Sequence, residues 1–267
     1  MRAITFAGRN IKELLRDPLS YLFCLGFPLL MLIVMTIVNS SIPETTFPAG
    51  VPIPEDAVMT PTVFQIQKLT PGITVFGLSF LSLFCCLRVA SDRSSAFLMR
   101  LYASPMKGVD YILGYFLPFA CIAVAQIVLT YIAGDIIAVI NGKEAFNILY
   151  MLVSLPLFIP SMMLFIGMGI LIGVLFNDKA APGVCSAVIT GSALLGGIWM
   201  DVEQMGGVWL SICDKLPFYH SVQAARLALI GDFSGMLLPL AVCAAYALVI
   251  FLLSVFVFIK KTQSDKR

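Results

Sequence analysis

The sequence predicts an all-α integral membrane protein with six transmembrane helices, and three observations lead to this fold class. Hydrophobic residues make up 60% of the 267 residues and charged residues only 12%, about half the charged share of a soluble domain. Six apolar stretches approach or exceed the ~20 residues that a helix needs to cross the ~30 Å hydrocarbon layer. Thirteen of the 17 lysines and arginines fall on one side of those stretches.

The six predicted spans set the topology of the chain. They are residues 19–38, 71–87, 112–139, 148–176, 181–198 and 236–259 of a single transmembrane domain covering residues 1–267. An even number of spans places both termini on one side, and the basic clusters make that side cytoplasmic. We therefore predict a multi-pass protein of the cell membrane with cytoplasmic N and C termini. The first span is longer than a signal-peptide core, and no small-x-small cleavage site follows it, which indicates a retained anchor.

The segment before the first span, residues 1–17, has the pattern of an amphipathic helix. At 100° per residue its two faces separate into an apolar and a polar set. The apolar face holds Ile4, Ala7, Ile11, Leu14 and Leu15, and the polar face holds Arg2, Thr5, Arg9, Lys12 and Arg16. We predict a helix lying in the inner headgroup layer until Asp17 and Pro18 turn the chain into the bilayer. Its role is either that of a simple anchor or a mechanical one.

The cytoplasmic segment 88–110 is too long for a tight turn and too short for a domain. Its apolar side chains share one helical face, Arg93 and Arg100 flank it, and Pro105 ends the helix. The face consists of Phe97, Leu98, Leu101 and Tyr102. Two exposed aromatic residues favour docking into a groove of a partner protein. The alternative is a helix that rests on lipid.

The third and fourth spans contain residues that stand out from their apolar surroundings. Gln126 and Asp135 in the third span are candidates for a substrate path, because polar groups are costly in a membrane unless they face protein or water. An interhelical hydrogen bond for Gln126 and interfacial water for Asp135 are the alternatives.

In the fourth span, Gly169 and Gly173 form a GxxxG motif that permits close helix packing. A contact within the chain is the favoured use of that motif. Pro156 and Pro160 are expected to kink the same helix.

The stretch 199–235 alternates polar and apolar residues and contains Gly206 and Gly207. This pattern is typical of a re-entrant or interfacial segment, which must be buried in protein or line a wet cavity. Its candidates for an outer gate are Trp199, Glu203, His220 and Arg226. Structural support is the alternative role for His220 and Arg226.

The sequence contains no motif for ATP binding, metal binding or catalysis. Gly142-Lys143 is followed by Glu144 and has no upstream glycine, so the chain carries no phosphate-binding loop for ATP. One histidine and seven cysteines without a CxxC pair predict neither a metal site nor a disulfide framework. No catalytic constellation is found. Basic residues beside the spans indicate contacts with membrane lipid rather than with nucleic acid.

Segment 88–110 resembles the coupling helix of type-2 ABC exporter permeases, the ABC-2 type whose drug-export-like members carry a similar C-terminal region. The matching residues are Asp92-Arg93, Leu98, Arg100-Leu101 and Ser104-Pro105, whereas Ala96, Phe97 and Met99 replace the glycine, threonine and glutamate of the family pattern.

Further matches follow in the family's order. The residues that resemble the elbow helix and first span are Lys12-Glu13, Arg16-Asp17-Pro18 and Phe27-Pro28, and those that resemble the start of the third span are Asp110 and Leu113-Gly114. The residues that resemble the outer re-entrant segment are Gly196-Gly197-Ile198-Trp199-Met200, Val202-Glu203-Gln204-Met205, Trp209-Leu210, Leu216-Pro217, His220-Ser221-Val222 and Arg226.

The resemblance implies a transport subunit that pairs with a second permease copy or a sister permease. Mg-ATP would be bound by a separate ATP-binding cassette ATPase, and this chain itself would hold no cofactor. The residues expected to dock that ATPase are Asp92, Arg93, Phe97, Leu98, Arg100, Leu101, Tyr102 and Pro105. The resemblance suggests export of an amphipathic or hydrophobic compound such as a drug, an antimicrobial peptide or a lipid-like molecule. The alternatives are export of a polysaccharide or lipid-linked glycan, and a non-transport scaffold or sensor.

Overall fold

A computed structural model describes residues 2–41, 65–95 and 108–264 of the protein. These residues form helices joined by turns and contain no β-strand. The helices are α1 (Arg2–Leu14), α2 (Pro18–Tyr21), a π-helical turn (Leu22–Gly26), α3 (Phe27–Ser41), α4 (Ile66–Ser94), α5 (Gly108–Ile140), α6 (Ile148–Leu157), α7 (Ile159–Leu175), α8 (Ala181–Leu195), α9 (Val202–Met205), α10 (Gly207–Cys213), α11 (Pro217–Ile230) and α12 (Leu237–Ser264).

Four helical stretches in the described part of the chain are long and apolar enough to cross a membrane. They are Pro18–Ser40, Ile66–Ser94, Gly108–Ile140 and Leu237–Lys261. Helices α6 and α7 make a fifth if the bent pair counts as one span. Helix α8 has only 15 residues, about 22 Å at 1.5 Å per residue. Helix length therefore supports four or five of the six predicted spans and does not establish the sixth.

The kink predicted from Pro156 and Pro160 is confirmed. The chain bends by 43° between α6 and α7, with Phe158 between the two helices. Each proline lacks the amide hydrogen that would continue the helical hydrogen bonds, and its ring crowds the preceding turn.

Helix α4 lies at the centre of the bundle and packs against α3, α5, α7, α8 and α11. Its contact with α7 depends on the predicted GxxxG motif. A Cβ atom on Gly169 would overlap the carbonyl oxygen of Ser82, and one on Gly173 would lie 2.7 Å from the carbonyl oxygen of Cys86. The motif therefore serves a helix contact within the chain, as predicted.

Helices α4, α7 and α12 end at the same end of the bundle. The Ser254 hydroxyl of α12 donates to the carbonyl of Gly167, and the Lys261 ammonium donates to that of Leu175, so α7 and α12 run parallel. We call this end, where α1 also lies and α5 begins, the basic end. The other end, which holds α9, α10 and α11, is the opposite end.

Helix α8 runs antiparallel to α4. Near its start, Cys185 packs in a cluster with Cys86 of α4. Beyond its C terminus, the Trp199 ring lies 5.4 Å from that of Phe76. The stretch 181–199 thus follows α4 from near the basic end towards the opposite end, where α11 covers α4, α6 and α12.

Candidate functional site

Helix α1 is anchored to the first turns of α5 by a ring that fits over a glycine. The Phe6 ring packs edge-on against Tyr115 with centroids 5.0 Å apart and against Tyr111 at 6.1 Å. A Cβ atom on Gly114 would overlap the Phe6 ring. Gly114 is therefore needed because it has no side chain, which leaves space for the ring.

A hydrogen bond completes this anchor. Pro118 lies inside α5 and has no amide hydrogen, so the carbonyl of Gly114, four residues earlier, loses its helical partner. The Nδ2 atom of Asn10 donates to that carbonyl at 3.0 Å, and Asn10 is only 1% exposed. A buried amide must be hydrogen-bonded to offset its loss of water. Gly114 and Pro118 together thus create the receptor for α1.

The anchor divides the predicted apolar face of α1 into a buried and an exposed part. Ala7 and Leu14 of the predicted apolar face are buried, but Ile4 is 70% exposed and Leu15 is 63% exposed. The buried face instead includes Phe6 and Asn10. Helix α1 therefore packs against the bundle with one face and leaves Ile4 and Leu15 exposed.

Four charged side chains join α1 to the last turns of α4; we call Arg9, Glu13, Arg88 and Asp92 the ion cluster. Arg9 lies 2.8 Å from Glu13 and 3.4 Å from Asp92, nitrogen to oxygen. Arg88 pairs with Glu13 and lies 3.3 Å from Asp92. The Tyr115 hydroxyl of α5 donates to Asp92 at 3.0 Å.

Asp92 is the centre of the ion cluster because its side chain is only 6% exposed while it contacts groups from three helices. Its charge is balanced by two guanidinium groups that are 25% to 30% exposed. A buried charge is tolerated only with such partners, and removing one member leaves the others uncompensated. The cluster therefore links α1, α4 and α5 through one carboxylate.

Arg93 links α4 to a fourth helix. Its Nη1 atom donates to the carbonyls of Gly173 at 3.4 Å and Phe176 at 3.3 Å, and also to that of Val174. These carbonyls belong to the C-terminal turn of α7, where the helix supplies no further backbone amides to donate to them. A cation there also interacts favourably with the negative end of the helix dipole.

Asp92 and Arg93 are thus placed directly before segment 96–107, at the end of α4. The other predicted ATPase-coupling residues lie outside the described residues; they are Phe97, Leu98, Arg100, Leu101, Tyr102 and Pro105. The described residues on both sides of the segment, in α4 and α5, are held together through Asp92 and Tyr115.

The two predicted substrate-path residues make contacts within the chain. The buried Gln126 amide donates to the Thr74 carbonyl at 3.3 Å and to the Thr130 hydroxyl at 3.2 Å. Asp135 accepts a hydrogen bond from the amide of Phe146 at 2.7 Å. Gln126 therefore joins α5 to α4, the interhelical alternative considered for it, and Asp135 holds the loop that follows α5.

The predicted outer-gate residues all lie at the opposite end, each with its own contacts. Arg226 donates to the carbonyls of Gly197 at 2.9 Å and Lys68 at 3.3 Å. It thereby ties α11 to the end of α8 and to the start of α4. Trp199 covers Phe76 of α4.

Glu203 and His220 hold the shorter elements of this end. Glu203 accepts from the Tyr219 hydroxyl at 3.2 Å and from the Gln223 amide at 2.7 Å, which joins α9 to α11. Burial and the Glu203 carboxylate raise the pKa of Tyr219 to about 12, so the phenol remains a donor at neutral pH. His220 lies 2.6 Å from the carbonyl oxygen of Asp214.

Glycines shape the chain between these contacts. Gly197, Gly206 and Gly207 have φ angles of 66°, 58° and 57°, in the left-handed region that side chains disfavour. Gly206, with ψ of −157°, is the C-cap of α9 and the N-cap of α10. The turns at these glycines bring Glu203 within hydrogen-bonding distance of Tyr219 and Gln223 of α11.

The residues that sequence reasoning missed are Asn10, Tyr115 and Pro118. The available signal was Gly114 followed four residues later by Pro118 within an apolar span. This spacing leaves the glycine carbonyl without its helical partner, and the glycine has no side chain to cover it. Among the described residues, no group of three or more His, Cys, Asp or Glu side chains could hold a metal ion.

Comparison with known proteins identifies the family to which this helical bundle belongs. The sequence matches the family described as "ABC-2 type transporter" over residues 2–230. A relative from Bacillus subtilis (strain 168), named "Putative transport permease YvfS", is 25% identical over 212 residues, which cover 79% of this chain and 78% of the relative. Because the family match spans most of the chain and includes both the ion cluster and Arg226, the protein belongs to the ABC-2 type transporter family.

Proposed function

We propose that this chain is the membrane subunit of an ATP-driven exporter, with an ATPase docked on segment 96–107 at the basic end. Permeases of this family normally pair with an ATP-binding subunit. The observation that carries the proposal is the linkage at the base of that segment: Asp92 joins α4 to α1 and α5, and Arg93 joins α4 to α7.

This linkage supports a mechanical role for the chain. Segment 96–107 is covalently attached to α4 and α5, and the ion cluster fixes α1 to the same two helices. A displacement of the segment would therefore move three helices together rather than bend one. Close packing of α4 on Gly169 and Gly173 would carry the movement into α7. ATP hydrolysis would occur on the partner, and this chain would convert it into helix movement.

The proposed topology has six crossings with the basic end in the cytoplasm. The four or five spans defined by helix length are supplemented by the stretch 181–199, which runs along α4 between the two ends. The chain thereby returns α12 to the basic end. The positive-inside rule supports the orientation, since the ion cluster, Arg93 and Lys261 lie at that end.

The exposed face of α8 supports pairing with a second permease. Ser186, Ala187 and Thr190 are exposed there, and a Cβ atom on Gly183 or Gly191 would meet no atom within 4 Å. By contrast, large side chains such as Leu252 and Phe256 dominate the exposed face of α12. Small and hydroxyl residues permit close helix approach in membranes. We place a second copy or sister permease against α8, with the substrate path between them.

A path lined by small hydroxyl and apolar groups would suit an amphipathic or hydrophobic compound. We therefore propose export of such a compound, as the drug-export-like pattern of residues 196–226 suggests. Gln126 contributes to this path only through the α4–α5 contact, because its amide already bonds within that contact.

The test is purification of the chain in mild detergent with its native ATPase. We expect Phe97→Asp with Leu101→Asp to remove the ATPase while the chain still inserts and elutes as a single species. Ile140→Asp with Ile148→Asp is the matched control, since both residues are exposed near the opposite end and the change adds the same charge. ATPase recovery at the wild-type level from the first variant would contradict the docking site.

Transport itself is tested separately in inside-out vesicles. We expect ATP-dependent accumulation of an amphipathic fluorescent dye with the wild-type complex and none with the docking variant. Equal accumulation in both would disprove the coupling role. ATP-dependent labelling of a lipid-linked glycan on the lumenal side, without dye transport, would instead assign the chain to glycan export.

A further inference from the structure

An apolar groove separates α1 from the third predicted span near the basic end. It has a volume of about 170 Å³ and lies between α1, the π-helical turn and α5. Its walls include Ile11, Leu14 and Leu15 of α1, Leu25 of the π-helical turn, and Cys121 and Ala125 of α5. Almost all of its lining is apolar.

The sequence explains why this space stays open. The anchor at Gly114 fixes the middle of α1 on α5, and the chain then turns at Asp17 into α2. On α5, Cys121 and Ala125 are small residues one turn apart, so the wall is shallow there. Both walls of the groove are therefore fixed by contacts outside it.

The groove opens to the outside of the bundle. Leu15, Cys121 and Ala125 are exposed at its rim, whereas Leu14 and Pro118 are buried at its base. From Pro118 to Ala125 it follows α5 for about 10 Å along the helix axis. An apolar cavity of about 150 Å³ excludes water and accepts a hydrocarbon the size of benzene. The groove is thus suited to a segment of hydrocarbon chain that enters from the bilayer.

The charges near the groove indicate what kind of headgroup a hydrocarbon chain bound there would carry. Lys12 and Arg16 are exposed on α1, each directly after a residue that lines the groove. The nearby carboxylate of Asp17 is engaged at the start of α2, where it accepts from the Leu19 amide at 3.1 Å and the Ser20 hydroxyl at 2.6 Å. Two cations, Lys12 and Arg16, thus stand against the one carboxylate of Asp17 at this end of α1, and the net charge facing the headgroup layer is positive.

A second groove on the other side of α1 provides a contrast. It has a volume of about 260 Å³, faces α4, and is lined by Glu13, Asp17 and Arg88 among others. Charged groups of both signs line it; Glu13 and Arg88 pair with each other in the ion cluster, and Asp17 accepts hydrogen bonds at the start of α2. A hydrocarbon chain would be disfavoured there because it would bury those charges without partners.

We propose that the apolar groove binds one acyl chain of an anionic phospholipid whose phosphate lies against Lys12 and Arg16. The chain extends from the headgroup layer along α5 towards the middle of the bilayer. Because the lipid contacts both α1 and α5, its binding stabilises their packing beyond the anchor at Gly114. This proposal concerns a resident lipid and does not depend on the transported substrate.

Cys121 gives a direct measurement of occupancy. It is the exposed one of the seven cysteines, and the other six are buried. We expect maleimide labelling of Cys121 in the full-length protein to be slower in phosphatidylglycerol nanodiscs than in phosphatidylcholine nanodiscs. Lys12→Gln with Arg16→Gln should remove this difference and weaken phosphatidylglycerol retention about 30-fold, as expected for two cations lost from an anionic lipid surface. Equal labelling of the wild-type protein in both lipids would overturn the proposal.

A variant that fills the groove supplies a second, independent measurement. Ala125→Trp should abolish the phosphatidylglycerol that remains bound to the purified chain in native mass spectrometry. Val124→Trp, at an exposed neighbouring position outside the groove, is the matched control and should retain it. Unfolding temperatures close to that of the wild-type protein establish that both variants fold. Retention of the lipid by a folded Ala125→Trp variant would place the lipid elsewhere, and displacement of the lipid by transported dye would assign the groove to substrate instead.

Discussion

The two ends of the bundle are held together by different chemistry. At the basic end, charged side chains from α1 and α4 contact one another, as in the pairs Arg9–Asp92 and Glu13–Arg88. At the opposite end, Arg226 binds the backbone carbonyls of Gly197 and Lys68. Charge pairs thus join α1 to α4 beside the proposed ATPase site, where Arg93 adds contacts to the backbone of α7, whereas Arg226 joins α11 to α4 and to the end of α8 through backbone carbonyls.

This difference indicates how each end responds to force. Side-chain ion pairs tolerate small shifts, because long flexible side chains can follow one another while the charges stay balanced. The Arg226 guanidinium, by contrast, can keep both of its hydrogen bonds only if the backbone at Gly197 and the backbone at Lys68 keep their positions. We infer that α1 and α4 can shift slightly against each other at the basic end while they stay linked, whereas the Arg226 contacts hold the opposite end in one local shape.

The largest expected effect comes from Asp92→Ala. This change removes the carboxylate that Arg9 and Arg88 share and leaves Glu13 as the remaining carboxylate of the ion cluster, so we expect it to lower the free energy of unfolding by about 2–4 kcal/mol. Thermal unfolding in detergent measures the loss, and recovery of the ATPase measures coupling. Asp178→Ala removes an exposed carboxylate at the same end and should change neither. If Asp92→Asn is as stable as the wild-type protein, the shape of the side chain matters and its charge does not.

A smaller effect is expected from Gly114→Ala, which places a methyl group where the Phe6 ring lies. Overpacking of this kind costs about 1–3 kcal/mol. In a Phe6→Ala background the same change should cost almost nothing, because the overlapping ring is gone. Gly8→Ala on α1 is the control, since a Cβ atom there meets nothing within 4 Å. Equal costs of Gly114→Ala in both backgrounds would show that Phe6 is not the reason for the glycine.

The sequence predicted the long spans because the thickness of the bilayer imposes a length that apolar residues reveal directly. The span 181–198 was less well predicted. Its apolar run continues through Gly196 and Gly197, but α8 ends at Leu195 and Gly197 takes a φ of 66°. Hydropathy counts apolar residues whether or not they are helical. A run that ends in two glycines therefore overstates the length of the helix.

The candidate sites divide in the same way. Asp92 and Arg93 were singled out because the segment that follows them has a recognisable pattern, and their coupling role stays a prediction. Asn10 was missed because its role depends on the carbonyl of Gly114, 104 residues away along the chain. The helical pattern of the α1 sequence by itself assigns polar residues to water and apolar residues to lipid. It cannot show that a polar residue has a partner on another helix.

The smallest of the three effects is expected from Arg226→Gln, and it tests the distinction between the ends most directly. A glutamine cannot reach both carbonyls, so we expect a loss of about 1–2 kcal/mol in the free energy of unfolding from weakened hydrogen bonds. ATPase recovery should stay at the wild-type level, because no contact of Arg226 reaches the ion cluster, while transport should fall. Lys215→Gln, which removes an exposed cation at the same end, is the control for charge. If Arg226→Gln released the ATPase as Asp92→Ala does, the two ends would form one cooperative unit, and the contrast in their chemistry would carry no mechanical meaning.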